Sequence, residues 1–378
     1  MRQAPVAPVE SGPPRPVSGY LEVLERGGGF LRDPARSFAP SGEDVYVSPG
    51  LITRYQLISG ASVSGAAVEG GQGPRLESVA AICGLPPEDF RERSSFTSLT
   101  ATNPDRRFPL GVLRNVSMRI IDLFAPIGRG TRGLIVSPPK AGKTTLLEEL
   151  AAAILAGAPN TIVTVLLIDE RPEEVTQFRR SVPAEVFASS SDESVEDHVR
   201  LATMCMAKAR CELMCGRDVV VLVDSLTRMG RAFNAYGSDS GRTMSGGLDS
   251  RALEIPRKFF GMARNAEAGG SITVLATALI ETGSRMDDLI FEEFKGTGNS
   301  EVVLDRALSD QRVFPALNVA KSGTRRDELL YSKDEIEAIN RLRRRVLELP
   351  PKQAILELRK VMEQFPTNEE LLKQIPGS

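Results

Sequence analysis

Three acid or base elements, each at the end of an apolar run, carry the chemistry this sequence could do. Lys143 and Thr144 stand in "RGLIVSPPKAGKTTLL", Asp169 and Glu170 close "TVLLIDE", and Asp224 closes "VVVLVD". The first stretch approaches the phosphate-loop pattern G-x-x-x-x-G-K-[ST], in which backbone amides cradle phosphate oxygens. Gly142-Lys143-Thr144 complete its end, but Ser137 holds the first glycine's place and Pro138 and Pro139 follow. The prolines bring no N–H, so the cradle from Ser137 to Thr145 falls to the amides of Ala141, Gly142, Lys143 and Thr144. The lost glycine costs little if Ser137 is extended at a strand end. Lys143 then reaches the β- and γ-phosphates and Thr144 ligates magnesium. Asp224 reads as the second acid of the magnesium shell. Glu170, at a strand tip, reads as the carboxylate that polarises an attacking water. The three elements together, in this order, predict an ATP-hydrolysing site that uses Mg2+.

These residues need a sheet to hold them. "GLIVS", "TIVTVLLID", "VVVLVD" and "SITVLAT" are continuous apolar runs rich in β-branched residues and separated by helical stretches. Buried parallel strands read this way, so the second part of the chain is expected to be α/β, with helices on both faces of a parallel sheet. Before it, from Gly19, short alternating segments such as "YLEVLE", "GGFLRD" and "DVYVSP" predict a small β-barrel. The expected organisation is a proline-rich, disordered lead-in over 1–18, a barrel over 19–84, a polar connector over 85–121 and the α/β domain with C-terminal helices over 122–378. In the tail, "RLRRR" reads as a solvated helix face.

Composition narrows the partners. The chain of 378 residues has a net charge of -2, so a nucleic acid would have to meet a local basic surface rather than a basic protein. No apolar run approaches the ~18 residues of a membrane span, and the N-terminus lacks a signal-peptide core. Of the four cysteines, Cys83, Cys205, Cys211 and Cys215, the last two lie four apart on one helical face. A metal site needs more ligands, and His198 is the one histidine. The cysteines therefore read as small buried hydrophobes with reduced thiols, in keeping with a cytoplasmic location.

"LIVSPPKAGKTTLL", "VLLIDERPEEV", "VDSLTRMGRAFN", "ATALIETGSRMDDLIFEEFKGTGN", "RVFPAL" and "KSGTRRDELL" together resemble the Rho family of transcription termination factors. The resemblance runs from about Gly19 to the C-terminus, and the paired prolines of the loop are themselves a mark of that family. It implies a RecA-like P-loop ATPase domain behind an OB-type barrel, assembled as a homohexameric ring that hydrolyses ATP and pulls RNA through its pore. It implies that Lys140, Lys143 and Thr144 meet phosphate and magnesium, with Glu170 the general base and Asp224 the Walker B acid. It also places Arg171 beside the γ-phosphate, stacks Phe314 on adenine, makes Arg312 a phosphate-sensing arginine and makes Arg325 a finger delivered from the neighbouring subunit. Two pore loops, with Arg242 and Arg285, would grip RNA, and Phe30, Arg32 and Tyr46 of the barrel would form a primary RNA site. RNA polymerase and an elongation factor are partners the resemblance allows.

The barrel departs from the family pattern. Gly28 stands where an aromatic is common, Leu76 near a usual tyrosine, and Gly19 to Cys83 carries a net charge of -2. RNA binding there is expected to be weak or altered in base preference. Two other readings stay open: a rotary or export ATPase subunit of the same fold, and an RNA-binding regulator without translocation.

Overall fold

Five strands between Arg15 and Ile82 close a barrel. Its strands are β1 (Arg15–Val23), β2 (Gly29–Arg32), β3 (Val45–Val47), β4 (Ser62–Gly70) and β5 (Gly73–Ile82), in the order β1-β2-β3-β5-β4. Leu21, Leu31, Val47, Val63, Leu76 and Ile82 fill its interior. Leu76 is thus a core residue, 2% exposed. Helix α1 (Pro49–Tyr55) bridges β3 and β4, opened by the Ser48 cap and a proline at its first turn. Helix α2 (Pro87–Arg91) follows the barrel. Pairing begins at Arg15, opposite Ala67, so the first strand starts inside the segment expected as lead-in. Pro16 is tolerated there because a proline fixes an extended φ and needs only to forgo one ladder donor.

This computed structural model describes residues 13–71, 73–237, 248–249, 251–267 and 269–375. Within them the chain forms two units: one up to Ser98 together with Thr203–Cys215, the other Leu99–Ala202 together with Gly216 onward.

The second unit begins with β6 (Ala101–Thr102) and α3 (Val116–Phe124) and continues as strand–helix alternation. Its elements are β7 (Arg132–Ser137), α4 (Lys143–Gly157), β8 (Ile162–Glu170), α5 (Pro172–Ser181), β9 (Glu185–Ser190) and α6 (Val195–Met214), the last ending in the first unit. Then come β10 (Asp218–Asp224), α7 (Leu226–Gly237), α8 (Glu254–Gly261), β11 (Arg264–Ala266), β12 (Ser271–Leu279), α9 (Arg285–Lys295), β13 (Ser300–Val303), α10 (Arg306–Asp310) and β14 (Gly323–Thr324). The sheet runs β14-β13-β7-β12-β10-β8-β9, with β6 and β11 paired outside that path. All neighbours from β13 to β9 are parallel. Their shared direction puts Ser137, Glu170, Asp224 and Leu279 at one edge, the carboxyl edge where open parallel sheets bind ligands.

The apolar runs read from the sequence are these strands, buried on both faces. Helices α11 (Lys333–Leu347), α12 (Pro351–Gln364) and α13 (Asn368–Lys373) close the chain and pack Ile339, Ile355 and Leu358 into the same core as α3 and α4. A capping box between Ser332 and Glu335 starts α11. The buried Arg119 of α3 donates to the carbonyls of Met362 and Phe365, holding the otherwise open end of α12. The "RLRRR" run divides: Arg344 and Arg345 are exposed, while Arg343 donates to Asp327 and to the Leu123 carbonyl.

Candidate functional site

The loop between β7 and α4 answers the question its sequence poses. Ser137 is buried and ends β7 in ordinary strand geometry, where glycine has no advantage. The left-handed turns fall instead on Lys140 (φ 63) and Gly142 (φ 92), the latter at the N-cap of α4. Gly142 carries that conformation without cost, leaving the first amides of a 15-residue helix open toward an anion. Ser309 braces the loop by donating to the Lys140 carbonyl at 2.8 Å.

Four charged groups converge beyond the strand ends. The Lys143 ammonium lies 2.6 Å from Asp224 Oδ1 and 3.7 Å from Glu170 Oε2. Thr277, near the end of β12, donates to Asp224 Oδ1 at 2.8 Å. Arg228, on the first turn of α7, donates to Glu170 Oε1 at 3.1 Å and to the Asp169 carbonyl. A bulge in β8 sets the aim of Glu170: Ile168 pairs with Ser189 and Glu170 with Ser190, leaving Asp169 unpaired at φ 54. Such a bulge turns the following side chain off the plain alternation. Glu170 is 1% exposed, whereas Asp169 is half-buried. Burial, and then the neighbouring Asp224 charge, raise the Glu170 carboxyl above the ordinary carboxylate range, against the pull of Lys143 and Arg228.

Glu170 Oε2 and Asp224 Oδ2 are both buried and accept no hydrogen bond within the protein. A buried acceptor left open is costly unless a ligand completes it. Two such oxygens beside an ammonium fit a hydrated divalent cation and an attacking water. Thr144, on the first turn of α4, and Asp224 are the residues that would hold the cation.

Beside the loop lies a cavity of about 560 Å³. Ala141, Gly142 and Thr145 form one wall, Phe314 and Pro315 another, and Asn115 and Arg359 close it. Phe314, 43% exposed, therefore stands against the helix start with its ring available for stacking. Arg312 is exposed two residues earlier, at φ 57. Arg171 is exposed at the N-cap of α5, its amide donating to Glu170 Oε1 at 3.2 Å.

Arg325 is not brought to this edge. Thr324 pairs with Ser300, Ser300 pairs with Gly133, and the Arg325 amide donates to the Asn299 carbonyl. This register puts Arg325 at the amino end of β7, opposite the phosphate loop, where it lines a shallow exposed recess with Asn299 and Lys321. Arg285 is exposed at the start of α9. Arg242 lies outside the described residues.

In the barrel, Phe30 and Tyr46 face each other across β2 and β3, ring centroids 5.6 Å apart. Arg32 is held differently from the expected phosphate contact. It is buried, donating to Asp44 at 2.5 Å and to Glu22 at 2.6 Å, with its guanidinium 5.2 Å from the Phe30 ring. A Cβ on Gly28 would come within 2.7 Å of the Tyr46 hydroxyl, so the tip of Tyr46 occupies the space of the absent side chain.

Residues 17–88 match the model of the Rho termination factor RNA-binding domain, and residues 117–324 that of the ATP synthase alpha/beta family nucleotide-binding domain. The chain is 49% identical to transcription termination factor Rho of Cereibacter sphaeroides over 86% of its own length and 79% of the relative's. It is 48% identical to that of Aquifex aeolicus over 94% and 84%, and 47% identical to that of Bacillus subtilis over 88% and 79%. The chain belongs to the transcription termination factor Rho family. An ATPase of a bacterial type III secretion system shares the fold, with a TM-score of 0.60 over 74% of this chain and 84% of the other, at 24% identity. That likeness is one of fold; the Rho-type RNA-binding domain sets this chain with the Rho family and against the export-ATPase reading. No helix among the described residues is long and apolar enough to cross a membrane.

Four members of the site were missed in the sequence. Arg228 and Thr277 hold the two acids, and Asn115 and Arg359 line the cavity. Arg228 had a signal, since it stands on the first turn of the helix that directly follows the strand-end acid Asp224. Asn115 and Arg359 had none, being distant in sequence from every motif.

Proposed function

We propose that the chain is an ATP-driven RNA translocase and helicase, working as a ring of six copies, that terminates transcription by releasing nascent RNA from RNA polymerase. The observation that supports the ATP-hydrolysing part of this reading is the pair of buried oxygens on Glu170 and Asp224, open to a ligand beside Lys143, and the part concerning RNA and termination rests on membership of the Rho family with its RNA-binding domain. Glu170, with its raised affinity for a proton, takes one from the attacking water, and Arg228 holds it in place. Lys143 and the loop amides neutralise the phosphate oxygens as charge spreads over them. Bound magnesium would supply further charge stabilisation at Thr144 and Asp224. Phe314 stacks on the base, and Arg171 and Arg312 flank the phosphates.

Arg325 sits at the far end of β7, away from the site of its own subunit. A neighbouring copy would supply the finger, which makes hydrolysis depend on ring contact. RNA bound in the pore by Arg285 and Arg242 has a route to this chemistry. Asp287, two residues after Arg285, takes both forks of Arg231 at 2.7 and 2.5 Å, and Arg231 shares α7 with Arg228. In the barrel, Phe30 and Tyr46 stack on bases.

The test is ATP turnover with a panel of RNA homopolymers, joined to displacement of a DNA strand from an RNA–DNA hybrid. Turnover that requires RNA, and displacement that requires ATP rather than a non-hydrolysable analogue, are expected. RNA-stimulated turnover without displacement would reduce the reading to an RNA-dependent ATPase.

A further inference from the structure

Outside the nucleotide site, a second group of reactive side chains converges. Cys83 follows the last residue of β5, and Cys211 and Cys215 lie one turn apart at the end of α6. All three belong to the barrel unit. Their sulfurs lie within 4.8 Å of one another, with Cys83 Sγ 3.5 Å from Cys211 Sγ across 128 residues of chain. Cys83 and Cys211 are 1% and 0% exposed, and Cys215 is half-buried. We propose that Cys83, Cys211 and Cys215 form a three-coordinate binding site for one soft d10 cation of the Cu(I) type.

The geometry suits a metal. Three thiolates around an ion at about 2.3 Å stand about 4 Å apart in a trigonal plane, close to the spacing the sulfurs already hold. Thiolate ligands select soft ions. Among the described residues the cluster contains no carboxylate or imidazole, and structural zinc nearly always takes four ligands. A three-sulfur site therefore favours a monovalent soft ion over zinc. Half-buried Cys215 gives such an ion a way in.

The backbone is set for the cluster as well. Cys83 has φ 49, a left-handed conformation uncommon outside glycine, and its amide donates to the Ser62 carbonyl at 2.7 Å. One turn before Cys211, the loop at Gly60 comes so near α6 that a Cβ would lie 2.2 Å from the Ala207 carbonyl carbon. On binding, the thiol protons pass to solvent as sulfur–metal bonds form, and no electron changes hands.

The full-length reduced chain, kept anaerobic, is titrated with Cu(I) in competition with a chromophoric chelator, and in parallel with Zn(II). One Cu(I) per chain is expected, with sulfur-to-metal charge-transfer absorbance and a raised melting temperature. Cys215→Ala, at the most exposed position, should weaken Cu(I) binding by at least roughly a hundredfold, the upper end of what losing a mere supporting partner costs. Cys83→Ser should do the same, and Cys205→Ser should bind as the parent does. Circular dichroism of each variant establishes that it is folded. Absence of Cu(I) binding, equal loss in Cys205→Ser, or preferential capture of Zn(II) would overturn the assignment. So would a mass two hydrogens lower in air with no metal bound, which would mark a Cys83–Cys211 disulfide instead.

Discussion

The nucleotide edge of the sheet and the aromatic face of the barrel differ in how far the hydrogen bonds of their buried charges are completed. At the sheet edge, Glu170 and Asp224 pair with Lys143 and Arg228, yet each keeps a buried oxygen that accepts no hydrogen bond. In the barrel, Arg32 is enclosed by Glu22 and Asp44 and its charge is neutralised internally. A site with open valences waits for a ligand and gains when one arrives. A site whose buried charges already have their hydrogen bonds must bind through what is left, here the two rings of Phe30 and Tyr46. The difference teaches that burial of charge identifies a functional group only when its hydrogen bonds have been counted.

Four measurements sharpen or break that contrast. The largest effect is expected at Arg325, which belongs to neither region's own site. Arg325→Ala should slow RNA-stimulated hydrolysis by about 10³–10⁵-fold. In mixed rings one mutant subunit should damage its neighbour's site, and loss merely proportional to mutant content would argue against a trans role.

Next is the open oxygen itself. Glu170→Gln should lower turnover by about 10²–10⁴-fold while nucleotide binding persists, because shape is kept and the base is lost. Substantial turnover would mean that another carboxylate takes the proton. A companion test is the pH profile. The Glu170 pKa is raised, and a base works only when deprotonated, so activity should fall with decreasing pH at a point above the ordinary glutamate range. Arg228 lowers that pKa, so Arg228→Ala should move the acid limb further up; a limb that stayed fixed would separate Arg228 from the base.

The third measurement is on the paired side. Arg32→Met leaves two carboxylates without their cation, which costs about 3–5 kcal/mol when such a pair is buried. A large drop in thermal stability is expected. The salt dependence of RNA binding should keep its slope, whereas a lost phosphate contact would reduce it by about 0.7.

The smallest effect is expected at Gly28. Gly28→Phe must displace the tip of Tyr46, exchanging one ring surface for another. Affinity for pyrimidine-rich RNA should remain within about threefold of the parent, short of the tenfold that roughly 1.4 kcal/mol of new stacking would bring. A full tenfold gain in a folded variant would show that the slot had been open.

How much of this was legible beforehand depended on how far apart the participants lie in the chain. The parallel strands could be read because burial on both faces makes them continuous runs, and Lys143, Glu170 and Asp224 because they stand where such runs stop. Local alternation revealed the barrel but placed its start a few residues late, since Pro13, Pro14 and Pro16 masked the pairing from Arg15. The aim of Glu170 was not readable, because it depends on a bulge at Asp169 that no residue type announces. The meeting of Cys83 with Cys211 and Cys215 was likewise hidden. Helical spacing joins the last two, but the first arrives through the closure of a barrel 128 residues earlier.

One short strand has a mechanical role in the proposed ring. At its carboxyl end β7 carries the phosphate loop. At its other end the Arg132 amide donates to the Asn299 side chain, and the Asn299 carbonyl receives the Arg325 amide. Six residues of strand span about 20 Å and barely stretch or shorten. In the proposed ring, a displacement of the loop in one subunit would be carried along β7, as by a pushrod, to the arginine that this subunit would lend to the next.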